Sequence, residues 1–157
     1  MRPAAICCCI LWFFVCSLTA HADCVFDSNF FTEGTYQNNA LVKSVVWLKQ
    51  ENEAKIITAR DDLISIKHWS CNTAGLSAVM LIHPDVKSEQ AKAKLLELGR
   101  IVLQGTELAD FIADVQKRPT DFDKVHNIGG PENRPVFFYV LRRFSGYLTA
   151  EIQYYYN

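Results

Sequence analysis

The chain has 157 residues, half of them hydrophobic, with 16 Lys and Arg against 17 Asp and Glu. Its basic residues are scattered among acids, which excludes the clustered positive surface that nucleic-acid binding requires. No internal repeat or low-complexity tract is present, which excludes repeat architectures and biased linkers.

The first residues predict export. Arg2 supplies one positive charge, Ala4 to Leu18 is an apolar run, and Thr19-Ala20-His21-Ala22 ends in an Ala-x-Ala cleavage pattern. The run is too short to span a bilayer. A lipid-modified cysteine needs a small residue before it, whereas Asp23 precedes Cys24 and Val15 precedes Cys16. The expected arrangement is a cleaved secretory signal peptide over residues 1–22 and one exported α+β domain over residues 23–157. Location is then periplasmic or secreted, with no membrane contact after cleavage.

Of the six cysteines, Cys7, Cys8, Cys9 and Cys16 leave with the signal peptide. Cys24 and Cys71 remain, and an oxidising compartment predicts a disulfide between them. It closes a loop of nearly fifty residues, worth roughly 4 kcal/mol on chain entropy. The mature chain has no Cys-x-x-Cys, so the bridge reads as structural rather than redox-active.

Residues 23–39 carry Phe26, Phe30, Phe31 and Tyr36 without a regular period, and read as an irregular arm tied by Cys24. Leu41 to Leu48 is rich in β-branched residues and predicts a strand, with a polar turn after it. Lys55 to Thr58 predicts a second strand. In the third, over 63–70, Ile64, Ile66 and His68 share one parity while Leu63, Ser65, Lys67 and Trp69 share the other. Leu76 to Ile82 is apolar almost throughout and predicts a central strand ended by Pro84. Short turns between these runs imply an antiparallel meander.

Two helices follow. Asp85 or Ser88 is placed to cap the first, whose stripe of Leu95, Leu98, Ile101 and Val102 lies opposite Lys92, Lys94, Glu97 and Arg100. Gly105 breaks the pattern, and Thr106 is placed to cap a second helix bearing Leu108, Phe111, Ile112 and Val115. Residues 118–135 show no period and read as a binding loop. Two strands over 135–142 and 147–156 close the chain around a turn at Phe144-Ser-Gly146. The predicted fold is α+β: an antiparallel sheet of about six strands, in the order four strands, two helices, two strands, with the helices on one face. Ile66, Val79, Leu81, Leu98, Phe111, Phe138 and Ile152 are the expected core.

No catalytic constellation stands out. The mature histidines are His68, His83 and His126, none at the paired spacing that zinc requires, so no metal or cofactor is expected. Ser70, His68 and Asp62 are the residue types of a hydrolase triad but lack a nucleophile-elbow context. Asp61 and Asp62 are adjacent, so on a strand they point to opposite faces rather than flanking a glycosidic bond. Asp121 and Asp123 lack the glycine and distant glutamate of a calcium loop. The tyrosines Tyr139, Tyr147 and 154–156 suit a sheet face or an interface.

The expected function is therefore a non-catalytic exported binding protein whose partner is another protein. The 118–135 loop would present Asp121, Asp123, His126 and Glu132 to a cleft in that partner. A small exported domain with one disulfide is similar in class to periplasmic inhibitors of cell-wall enzymes and to immunity proteins, on size and compartment rather than on any motif. The alternative is a small exported hydrolase with a site near His68 and His83, which are able to approach only if their hairpin sets them opposite one another.

Overall fold

The structure, a computed structural model, describes residues 34–70, 74–129, 136–144 and 146–156. The expected signal peptide, Cys24, Cys71 and Glu132 lie outside the described residues.

The elements run α1 (Gly34–Gln37), β1 (Val42–Leu48), β2 (Glu53–Thr58), β3 (Leu63–Ser70), β4 (Ala74–Ile82), α2 (Ser88–Val102), α3 (Gly105–Lys117), β5 (His126–Ile128), β6 (Val136–Phe144) and β7 (Tyr147–Tyr156). The strands form one seven-stranded sheet in the order β1-β2-β3-β4-β7-β6-β5, and every neighbouring pair is antiparallel. The chain builds half of the sheet as a meander and crosses it with α2 and α3. It then returns inward from the far edge until β7 pairs with β4. That central ladder runs from Ala74↔Tyr156 to Ile82↔Leu148 and closes the fold between segments far apart in sequence.

The four-strand, two-helix, two-strand order is present, with β5 as an additional strand inside the stretch expected to be structureless. Three residues are too few to show a period of two, and β5 owes its place to its pairing with β6. The helix break is also present: Leu103 and Gln104 are extended, and α3 starts at Gly105. The caps differ from expectation. Lys87 precedes α2, its backbone N–H donating to Gln90 Oε1 at 3.2 Å, and Gln104 precedes α3 without a side-chain cap.

One face of the sheet is covered by α2 and α3. Ile64, Ile66, Leu76, Ala78, Met80, Ile82, Leu148, Ala150 and Ile152 point into this layer, joined by Leu95, Leu98 and Phe111 from the helices. Here the expected facing of β4 is corrected. Leu81 is 43% exposed and Val79 only half buried, whereas their neighbours in the strand are buried. An apolar run carries no alternation, so its facing follows its partners: Met80 lies opposite Ile64 and Ala150, and Ala78 opposite Ile66 and Ile152. Phe138 is corrected for the same reason, since Phe137, Tyr139 and Leu141 take the inner face of β6.

Glu97, expected on the solvent side of α2, is buried. It lies 3.6 Å from Lys94 Nζ and 3.5 Å from Arg60 Nη1, and Lys94 also pairs with Asp62. The turn between β2 and β3 is thereby clamped to the helix. Asp61, in a left-handed conformation, faces away to Lys43 at 2.6 Å.

Among the described residues, no helix covers the opposite face of the sheet, called here the helix-free face. Its residues run in rows across the strands, such as Glu53-Lys67-Ser77-Gln153-Phe138 and Lys55-Ser65-Val79-Glu151-Val140. Polar and apolar side chains mix there, as expected of an antiparallel sheet solvated on one side. No described helix is long and apolar enough to cross a membrane.

Candidate functional site

The segment after α3 is where the sequence places its binding residues, and the structure ties much of it down. Arg118 caps the C terminus of α3, and its Nε donates to Asp114 Oδ2 at 2.7 Å, one turn earlier. The hydroxyl of Tyr139, on the inner face of β6, donates to the same oxygen at 2.7 Å. Register then sets His126 of β5 opposite Tyr139, and the two rings stack with centroids 4.9 Å apart and planes at 24°. Lys92 of α2 crosses to the end of α3, donating to the carbonyls of Gln116 (3.3 Å) and Arg118 (2.8 Å), where a cation complements the exposed acceptors of a helix C terminus.

Between these groups lies a cavity of about 20 Å³, lined in part by Lys92, Arg118, Thr120, Asp121, His126 and Tyr139. That is room for about one water molecule. Thr120 Oγ1 is buried beside it with no hydrogen-bond partner among the described residues. Burial lowers the His126 pKa, and the Arg118 and Lys124 cations lower it further, against Asp114 and Asp121. Burial raises Asp114, but the hydrogen bonds from Arg118 and Tyr139 outweigh this and leave its carboxyl below the ordinary value. The Tyr139 hydroxyl is pushed well up by burial and by Asp114. Asp114, Arg118 and Tyr139 satisfy one another within the cluster.

The expected binding residues therefore have separate environments. His126 is 6% exposed and turned inward. Asp121 is partly exposed, 3.6 Å from Lys124 Nζ. Asp123 has a left-handed backbone, its N–H donates to Leu141 O at 2.7 Å, and its Oδ1 accepts from Arg143 N–H at 3.0 Å. Next to it, Phe122 bridges to Leu141 and lies under the Arg143 guanidinium, 4.1 Å from ring centroid to Cζ. Phe122 and Asp123 thus occupy the outer edge of β6 beyond β5, a position that blocks strand addition.

Val125 is the large hydrophobic residue of this segment that faces outward, at 53% exposure. It borders a depression of about 220 Å³ on the helix-free face, floored by Phe138 and Val140 and rimmed by Arg142, Glu151, Gln153 and Tyr155. Arg142 Nε donates to Glu151 Oε2 at 3.0 Å. Tyr155 meets Phe138 edge-on at 5.8 Å, and Trp69 meets Tyr155 at 5.6 Å, so a line of rings extends across the sheet. Trp69 lies over Gly75 of β4, where a Cβ would come within 2.6 Å of the indole. Sequence reasoning missed this surface. The signal was present in β6 and β7: their non-core parity holds Phe138, Val140 and Tyr155 among charged residues, more apolar than a purely solvated face needs.

The histidines of the hydrolase alternative do not meet. His68 lies opposite Leu76, whereas His83 is seven residues further along, roughly 23 Å at strand spacing. His68 is 1% exposed, its Nε2 2.9 Å from the Tyr36 hydroxyl and its ring beside Trp47, and burial lowers its pKa to about 4. His83 is exposed, 3.5 Å from Asp85. Asp62 is occupied by Lys94 and Thr58, six residues from His68. Among the described residues, no three His, Cys, Asp or Glu side chains group as metal ligands. No protein-family model matches the chain, no curated protein matches its sequence and no solved structure matches it.

Proposed function

We propose that the protein is a non-catalytic exported binding protein whose partner is another protein, docking on the helix-free face of the sheet. The observation that carries this reading is the depression bordered by Val125, with its apolar floor and its Arg142–Glu151 rim. Aromatic and arginine side chains around a partly desolvated apolar centre are the composition from which binding hot spots are built. The 118–129 segment contributes the wall of this surface through Val125 rather than a row of projecting acids. A secreted or cell-wall-directed enzyme that the protein restrains is the kind of partner that export and small size suggest.

Site-directed photocrosslinking tests the reading. A crosslinking residue at Val125 or Gln153 should trap one partner from the exported fraction, and the same residue at Asp110, on the outside of α3, should not. Equal trapping from both faces, or trapping from α3 alone, would place the interface elsewhere.

A further inference from the structure

We propose that His126 is the pin of an acid-released latch: neutral, it holds β5 and the preceding turn against the sheet, and protonated, it lets them leave. This rests on the binding reading for its purpose, since the latched segment carries Val125, but not for its mechanism.

The geometry makes this segment the weakest attached part of the sheet. β5 is an edge strand of three residues, joined to β6 at His126↔Tyr139, Asn127↔Phe138 and Ile128↔Phe137. Its one deeply buried side chain is His126, stacked on Tyr139 at the wall of the small cavity. An imidazolium there has to find an acceptor, and each carboxylate that faces it is already paired with a cation. From α3, Asp114 accepts from both Arg118 and Tyr139. From the segment itself, Asp121 is paired with Lys124. From α2, Lys92 is a cation committed to the carbonyls of α3, and from β6, Tyr139 presents a hydroxyl already donated to Asp114. Arg118 and Lys124 add like charge. A proton on His126 is therefore accommodated more easily with the ring in water than in the cavity. Leaving costs the three pairs of a terminal strand, the Asp123 bonds to Leu141 and Arg143 and the Phe122 contact with Arg143, whereas the β4–β7 ladder at the centre is untouched.

Hydrogen exchange on the free protein reads the latch directly. Between about pH 7.5 and about pH 5, where a histidine changes charge, residues 122–128 should lose protection several-fold after correction for intrinsic exchange. β4 and β7 should keep theirs. The His126 ring, followed by NMR, should titrate with the same midpoint as the opening. His126→Phe keeps the stacked ring without the charge and should stay closed at both pH values. Unchanged protection in the wild type, parallel loss across β4 and β7, or a His126→Phe protein that opens like the wild type would overturn the proposal. Should that variant not fold, non-coincident midpoints in the wild type overturn it alone. Because no partner is involved, a failed latch leaves the docking face standing, and a failed docking face leaves the latch standing.

Discussion

Gly99 of α2 lies against the ring of Phe111 of α3, so closely that a Cβ on Gly99 would sit 2.2 Å from Cε1 of that ring. Phe111 is fully buried and meets Tyr139 edge-on at 5.4 Å and Phe137 at 6.2 Å, so it has nowhere to retreat.

Gly99→Ala should therefore destabilise the protein. Helix propensity favours alanine by about 1 kcal/mol, but overpacking a close-packed site costs typically ~1–3 kcal/mol. The expected net effect is a loss, read as a lower midpoint in urea with an unchanged slope. A gain in stability would mean that α2 and α3 are further apart than described.

The facing of β4 predicts a contrast between neighbours. Met80→Ala should cost about 2–5 kcal/mol, because Met80 is fully buried. Leu81→Ala should cost much less, because Leu81 is 43% exposed on the helix-free face. Reversed magnitudes in denaturant unfolding would return β4 to the opposite facing.

His68 predicts loss of stability in acid. Its folded pKa of about 4 lies below its ordinary value of 6.5. Above that ordinary value the ring is neutral folded or unfolded, and its contribution is fully present. As pH falls towards about 4, the unfolded chain takes up the proton first and stability is lost, by ~3 kcal/mol over the whole interval. His126 is shifted in the same direction and adds to the loss. Denaturant unfolding at about pH 7 and about pH 4.5 checks this, and His68→Gln should flatten the difference.

Compartment and disulfide form one prediction. Alkylation of purified mature protein without reductant, followed by mass spectrometry, should label neither Cys24 nor Cys71, and its N terminus should be Asp23. Two labelled thiols would remove the bridge. Cys71→Ser should cost about 2–5 kcal/mol.

The elements that were legible in the sequence are those with their own periodicity. Ile64, Ile66 and His68 alternate with polar neighbours and face inward; Leu148, Ala150 and Ile152 do the same. β4 was legible as a strand but not in its facing, because an all-apolar run leaves parity to its partners. β5 exists through pairing alone. Asp123 reads as a projecting acid in sequence, yet its carboxylate is used on Arg143 N–H at the sheet edge, a long-range contact that no local pattern encodes. His126 reads as a binding residue in sequence, and only the register with Tyr139 reveals that it faces inward. The depression on the helix-free face joins β5's approach, β6 and β7, so it becomes visible only once those strands are neighbours.

The central claim is that a protein partner docks on that face, and the affinity of Val125→Asp for the crosslinked and purified partner tests it most directly. Val125 is exposed, so the substitution should shift stability by no more than about 0.5 kcal/mol. A charge introduced on the rim of the apolar floor should weaken binding by about tenfold or more, while Asp110→Ala on α3 binds like the wild type. Equal affinity for Val125→Asp and the wild type, with both proteins folded, would contradict the account.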